Sequence, residues 1–158
     1  MINSTSPAKI VQETAQKKGF PITIKNLSTP ARTSLEAAKI IGCDLAQIAK
    51  SLIFKTKNSQ KPVLIIASGA NRVNEEKISN LIGEKITKAE PDFVSQQTGF
   101  IIGGIPPFGH KQAIQTFIDK DLLSYDEIWA SAGTPQANFK ISPASLAKIT
   151  KGKVVSIT

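Results

Sequence analysis

Strand-like segments follow one another along this chain with no full helix between most of them. Parallel neighbours need a crossover of a dozen or more residues, usually a helix. The sheet is therefore expected to be mixed and largely antiparallel, flanked by helices, in an α+β arrangement. Runs with strand character occupy Pro21–Leu27, Ser51–Lys57, Pro62–Ser68, Lys85–Ala89, Ala113–Asp119, Glu127–Ala132, Ala137–Ile141 and Val154–Ile157. Asn58-Ser59-Gln60-Lys61 has turn composition and joins two of them into a predicted hairpin. Phe100-Ile101-Ile102 reads as a further, buried strand end.

Helices announce themselves by their caps. Ser6-Pro7 and Ser142-Pro143 each pair an N-cap with a proline suited to the first helical position. Thr33-Ser34-Leu35-Glu36 has capping-box spacing, and that helix ends near Gly42. Asp44 can cap a short helix over Leu45–Lys50, and Asn74 a helix closed by Gly83. Pro91–Gln97 reads as another short helix, ended by Gly99. No repeat, linker or low-complexity stretch interrupts the pattern. At 158 residues, positions 1–158 read as a single domain.

Composition narrows the chemistry. Lysine and arginine number 20 against 12 for aspartate and glutamate, a formal net charge of +8. Such an excess fits an anionic partner, nucleic acid above all, or a solvated lysine-rich surface. The basic residues are spread along the chain, which points to a folded basic face over a disordered arm. The longest apolar runs, such as Val63–Ala67 and Phe100–Ile102, are too short to span a bilayer. Met1–Ser6 lacks the basic flank and apolar core of a signal peptide. Cys43 is the only cysteine and His110 the only histidine, so an internal disulfide and a Cys/His zinc cluster are excluded. A reducing cytoplasm is the expected setting. No nucleophile elbow, zinc helix motif or Walker loop is present. Cys43 reads as a small apolar packing residue.

Gly103-Gly104-Ile105-Pro106-Pro107-Phe108-Gly109-His110 carries the most information. The glycines permit close backbone approach, and the prolines stiffen the loop while donating no N–H. Donors must come from Gly103, Gly104, Ile105, Phe108, Gly109 and His110. Such a segment serves either as an oxyanion pocket or as a tight connection between strands. Lys50, at the end of the Leu45–Lys50 helix, either satisfies that helix terminus or projects a cation into a cleft. Arg72 is either a surface turn residue or a phosphate contact.

Four motifs occur in order: Ala49-Lys50-Ser51-Leu52-Ile53-Phe54, Ala67-Ser68-Gly69-Ala70-Asn71-Arg72-Val73, Thr98 through His110, and Trp129-Ala130-Ser131-Ala132-Gly133-Thr134-Pro135. Together they resemble the YbaK/EbsC family of aminoacyl-tRNA deacylases, related to the editing domain inserted in bacterial prolyl-tRNA synthetase. The resemblance covers Ser34 to the C-terminus. It implies a free-standing trans-editing hydrolase, active on the ester joining a wrong, small amino acid to the tRNA 3′ end. Lys50 and the loop glycines Gly103 and Gly104 would be the catalytic positions. Ile105, Pro106, Pro107, Phe108, Gly109, His110, Arg72 and Gly133 would contact substrate, with the tRNA ribose hydroxyl assisting the water. His110 is read as a loop anchor or pocket-rim residue. The implied partners are tRNA and an aminoacyl-tRNA synthetase, with no cofactor, no metal and no membrane, and the chain is expected to be a monomer. Leu52, Phe54, Ile65 and Phe108 are candidates for an apolar lining. Relatives often carry a histidine just after the segment matching Gly133–Pro135, where this chain has Gln136. That departure keeps open the alternative of a non-catalytic tRNA- or aminoacyl-ligand-binding relative.

Overall fold

The computed structural model describes residues 6–158, so the signal-peptide reading of the first five residues lies outside the described residues. The described residues form five α-helices and eight strands, in the order α1 (Pro7–Lys17), β1 (Ile24–Asn26), α2 (Ser34–Ile41), β2 (Ile48–Thr56), β3 (Pro62–Ser68), α3 (Glu75–Ile82), β4 (Ile86–Lys88), α4 (Pro91–Thr98), β5 (Gln115–Asp119), β6 (Ile128–Ser131), β7 (Ala137–Ile141), α5 (Pro143–Thr150) and β8 (Lys153–Val155). The caps form as the sequence requires. Ser6, Thr33, Asn74 and Ser142 each accept a backbone N–H of the first helical turn through their side chains.

All eight strands join one sheet in the order β1-β7-β6-β2-β3-β5-β8, with β4 on the side of β2 away from β3. It is mixed, and antiparallel pairs predominate. β2 is antiparallel to β3 and β4 and parallel to β6, and β5 is parallel to both β3 and β8. On one face Ala49, Ile53, Leu64, Ile66, Ile118, Ala130 and Phe139 pack with Val11 and Ala15 of α1, Val94 of α4, and Leu146 and Ile149 of α5. On the other face Phe54, Val63, Ile65, Ala67 and Phe117 pack with Ile78 of α3, while Ala37 and Ala38 of α2 cover Ile48. Successive strand residues alternate between these two cores. None of the described helices is long and apolar enough to cross a membrane.

Two sequence expectations are corrected. The helix over Leu45–Lys50 shrinks to a single 3-10 turn at Leu45–Gln47. The chain then extends, because Ile48 and Ala49 pair with Trp129 and Ala130 of β6. Tertiary pairing overrides the local helix signal, and Lys50 sits inside a strand instead of at a helix end. Phe100–Ile102 is not a strand, and only Phe100 is buried, Ile101 and Ile102 being 64% and 55% exposed. The Thr98 hydroxyl holds the Phe100 main chain just past the end of α4, and a turn closes from Gly104 N–H to the Ile101 carbonyl.

Candidate active site

The site begins with a gap in the sheet. Along β2, Ile48 C=O accepts from Gly69 N–H and Thr56 N–H donates to Lys61 C=O, so the main chain of even-numbered residues points towards β3. Odd-numbered residues point the other way. There β6 pairs only with Ile48 and Ala49, and β4 only with Phe54 through Thr56. Among the described residues no strand covers that edge over residues 50–53, so the N–H and C=O groups of Ser51 and Ile53 face a cleft of about 910 Å³.

The cleft is lined from both faces of the sheet. Lys50, Leu52 and Phe54 line it on one side of β2, and Ser51 and Ile53 with Val94 and Ile105 on the other. Arg32, Lys50, Arg72 and Lys88 supply cations to the lining, against the single carboxylate of Glu75. None of the four has a carboxylate within ion-pair distance among the described residues, where the one ion pair joins Lys140 to Glu127. Lys50 is half-buried and lies in register with Ala67 of β3. Arg72 stands exposed after a turn anchored by the buried Asp119, whose Oδ2 accepts from Ser68 N–H at 3.0 Å and Asn71 Nδ2 at 2.9 Å.

The glycine–proline loop divides between two cavities. Gly103 and Ile105 line the cleft with Lys50. Among the described residues their N–H groups have no acceptor, whereas Gly104 N–H is taken by the Ile101 carbonyl at 3.1 Å. Gly104 packs main chain to main chain on Gly133 and Thr134. A Cβ there would lie 2.8 Å from the Gly133 oxygen. Gly133 itself has φ +103° beneath Pro7 and Phe100, and Thr134 and Pro135 complete the cleft wall. Pro107, Phe108, Gly109 and His110 instead line a second cavity of about 710 Å³ behind the loop. His110 Nε2 lies 2.7 Å from the Pro106 carbonyl, which can only accept, so Nε2 carries the proton. Burial pushes the His110 pKa below the usual histidine value, partly opposed by that hydrogen bond. Of the candidate apolar lining, Leu52 and Phe54 reach the cleft, Ile65 is buried in the sheet, and Phe108 packs against Phe139.

Two residues escaped the sequence reading. Gln136 is exposed, and its carbonyl accepts from Leu27 N–H and Asn138 Nδ2. The polar side chain that this segment offers the cleft is Asn138, opposite Ser131 in the β6–β7 register and on the sheet face of Trp129. The period-2 alternation over Ala137–Ile141 was the available signal. Lys25 and Lys140 extend the basic surface on that face, 5.5 and 5.9 Å from the Trp129 ring centre. The second is Ser51, which lines the cleft while its Oγ is buried without a hydrogen-bond partner. No sequence pattern distinguished it from its strand neighbours.

Cys43 is half-buried beside the α2 cluster, and burial followed by the Asp44 charge raises its thiol pKa, against any nucleophilic role. Among the described residues no group of three histidine, cysteine, aspartate or glutamate side chains could hold a metal ion.

Comparison with known proteins adds an independent line. The family model described as an aminoacyl-tRNA editing domain matches residues 28–149. The uncharacterized protein YwhH of Bacillus subtilis (strain 168) is 30% identical over 131 residues, covering 83% of each chain. The multifunctional Ser/Thr-tRNA deacylase ProXp-y of Escherichia coli (strain K12) is 28% identical, over 75% of this chain and 74% of its own. A crystal structure described as a candidate trans-editing enzyme for prolyl tRNA synthetase superposes with a TM-score of 0.92 at 36% identity, covering 99% of both chains.

Proposed function

The chain belongs to the aminoacyl-tRNA editing domain family, and from that premise we propose that it is a trans-editing hydrolase for tRNA mischarged with a small amino acid. Residues 1–158 would form one editing domain acting on the aminoacylated 3′ end. The observation that carries the reading is the meeting of the Lys50 side chain and the unpaired N–H groups of Gly103 and Ile105 around one cationic cleft. The named relatives support it: one is called a tRNA deacylase and another a trans-editing enzyme.

The chemistry follows from the groups present. The loop amides donate to the ester carbonyl oxygen and stabilise the negative charge that develops there when water attacks. Their positions are set in advance, so no reorganisation is needed at the moment of reaction. Lys50 contributes a positive charge on a strand, which holds it more firmly than a loop would. Water adds to the acyl carbon, the bond to the ribose oxygen breaks, and that oxygen leaves with a proton as free tRNA and amino acid separate. His110 lies in the other cavity, and among the described residues Glu75 is the only carboxylate at the cleft. We assign the water's activation to the neighbouring ribose hydroxyl of the tRNA. The cations Arg32, Arg72 and Lys88 meet the phosphates of the acceptor end, a contact that weakens with salt. Small side chains are favoured because Leu52, Phe54, Val94 and Ile105 confine the space around the ester.

The test is hydrolysis of a panel of tRNAs charged with alanine, cysteine, serine and threonine, by the wild type and by Lys50→Ala. Turnover of at least one ester by the wild type, lost by about 100-fold in a folded variant, is the expected outcome. Equal turnover by the variant removes Lys50 from the chemistry. Salt-sensitive tRNA binding with no hydrolysis of any ester would make the protein a binder instead.

A further inference from the structure

We propose that Asp119 is a positioning residue for Arg72: its buried carboxylate clamps the turn at residues 68–71, so that Arg72 is held at the cleft in advance of a phosphate of the tRNA acceptor end. The inference rests on the deacylase reading for the identity of that anion. It goes beyond that reading by giving a role to a residue outside the cleft.

The strand order brings the two residues together. β3 and β5 are parallel, with Ile66 beside Ile118, so their last residues Ser68 and Asp119 are neighbours. Asp119 is 1% exposed. Its Oδ2 accepts from Ser68 N–H at 3.0 Å and from Asn71 Nδ2 at 2.9 Å, and its Oδ1 accepts from Asp121 N–H at 2.9 Å. All three partners are donors, so the position calls for a side chain that only accepts. An asparagine would turn its own NH2 group towards one of them. Among the described residues no cation lies within ion-pair distance of this carboxylate. Burying a carboxylate without a counter-ion is costly, and these three donors are what offset the lost water.

The clamped turn is held from its other sides as well. Ser68 Oγ donates to the Ala46 carbonyl at 2.9 Å, Gly69 N–H to the Ile48 carbonyl at 2.7 Å, and Asn71 N–H closes on the Ser68 carbonyl at 3.0 Å. A Cβ on Gly69 would lie 2.5 Å from the Leu45 oxygen, so the turn packs main chain to main chain on the approach to β2. Asn71 is the link to the cleft. Its Nδ2 bridges Asp119 and, at 2.7 Å, Asp121 Oδ2, and both Asn71 and the next residue, Arg72, line the cleft. Arg72 is exposed and has no carboxylate within ion-pair distance among the described residues, which leaves its guanidinium to an external anion. An arginine fixed at its root gives up less freedom on closing over a phosphate than one carried by a mobile turn.

The experiment measures the affinity for bulk deacylated tRNA across a series of salt concentrations. It uses the full-length wild type, Arg72→Ala, Asp119→Asn, Asn71→Ala and the double variant Asn71→Ala/Arg72→Ala. Thermal melts establish which variants are folded, and Asn71→Ala, which lies outside the sheet, decides the matter if Asp119→Asn does not fold. Arg72→Ala is expected to weaken binding and to flatten the log–log salt slope by about one. Asn71→Ala and Asp119→Asn should each weaken binding by about 3- to 10-fold. The sign is diagnostic for Asp119→Asn. Removing a negative charge near a cationic cleft strengthens RNA binding through the field alone, whereas loss of the clamp weakens it. The double variant should bind as weakly as Arg72→Ala and no more weakly, because the contact is already gone. Binding as tight as the wild type or tighter in folded Asn71→Ala or Asp119→Asn overturns the proposal. So does an unaltered salt slope in Arg72→Ala. Additive losses in the double variant also overturn it, since they would make Asn71 a contact in its own right. Hydrolysis of no aminoacyl ester by the wild type sinks the deacylase reading, while the affinities, which need no turnover, still decide the role of Asp119.

Discussion

The two ends of the glycine–proline loop face different cavities and treat their polar groups in opposite ways. At the front, Gly103 and Ile105 leave their amides without acceptors among the described residues, around the cleft that they line with Lys50. At the rear, His110 is bound to Pro106, and the Thr98 hydroxyl both donates to Val94 and accepts from Phe100 N–H. The edge of His110 meets Phe100 with ring centres 6.2 Å apart. The rear is a closed network that stiffens the loop, and the front keeps open valences for a substrate. Preorganisation of this kind needs both: donors free to bind, and a support that prevents them from collapsing onto the protein.

The harshest way to break the contrast is Gly104→Ala. Its Cβ would meet the Gly133 main chain, which has no flexible side chain to move aside. The front of the loop must shift, and a misplacement of about 1 Å can cost about 100-fold in rate. The expected outcome is a loss of that size in esterase turnover with about 1–3 kcal/mol of stability lost, read by denaturant titration. Native-like turnover would mean the loop tolerates displacement. Lys50→Ala is expected to lose about as much turnover without that structural cost, so the two variants separate charge from geometry.

His110→Gln probes the rear. The histidine pKa is depressed in the fold, so the folded protein binds fewer protons than the unfolded chain. Stability is full above the ordinary histidine value of about 6.5 and falls as pH drops below it. Melting temperatures of the wild type measured between pH 7 and pH 5 should therefore decline more steeply than those of His110→Gln. Parallel curves would show that His110 keeps its proton balance on unfolding.

The smallest effect compares two hydroxyls. Thr98→Val removes a paired, buried hydroxyl and should cost about 1–2 kcal/mol. Ser51→Ala removes an unpaired one and should be neutral or stabilising by up to about 1 kcal/mol. Calorimetric melts decide between them, and equal destabilisation would show that Ser51 has a partner in solution.

Much of the molecule was legible in the chain. The caps at Ser6, Thr33, Asn74 and Ser142 act within four residues, so they survived folding unchanged. The β2–β3 hairpin was set by two β-rich runs and a polar turn. The Leu45–Lys50 segment went astray because its helix signal is local, while the pairing of Ile48 with Trp129 spans the chain. Gln136 drew attention by its departure from relatives, yet it points to solvent. Asn138, two residues on, occupies the cleft because strand alternation and the β6–β7 register place it there.

By itself the amino-acid order determined the elements, their caps, the basic balance and the presence of a stiff donor loop, since each depends on neighbouring residues. Only the tertiary structure decided that β6 and β4 stop short of each other along β2. That gap puts Lys50 on one side of an open edge and Ser51 on the other, and it splits the loop between two cavities. Strand order and register are long-range properties: an alternating pattern shows that side chains take turns between two faces, but not what lies on each face or which edge stays uncovered.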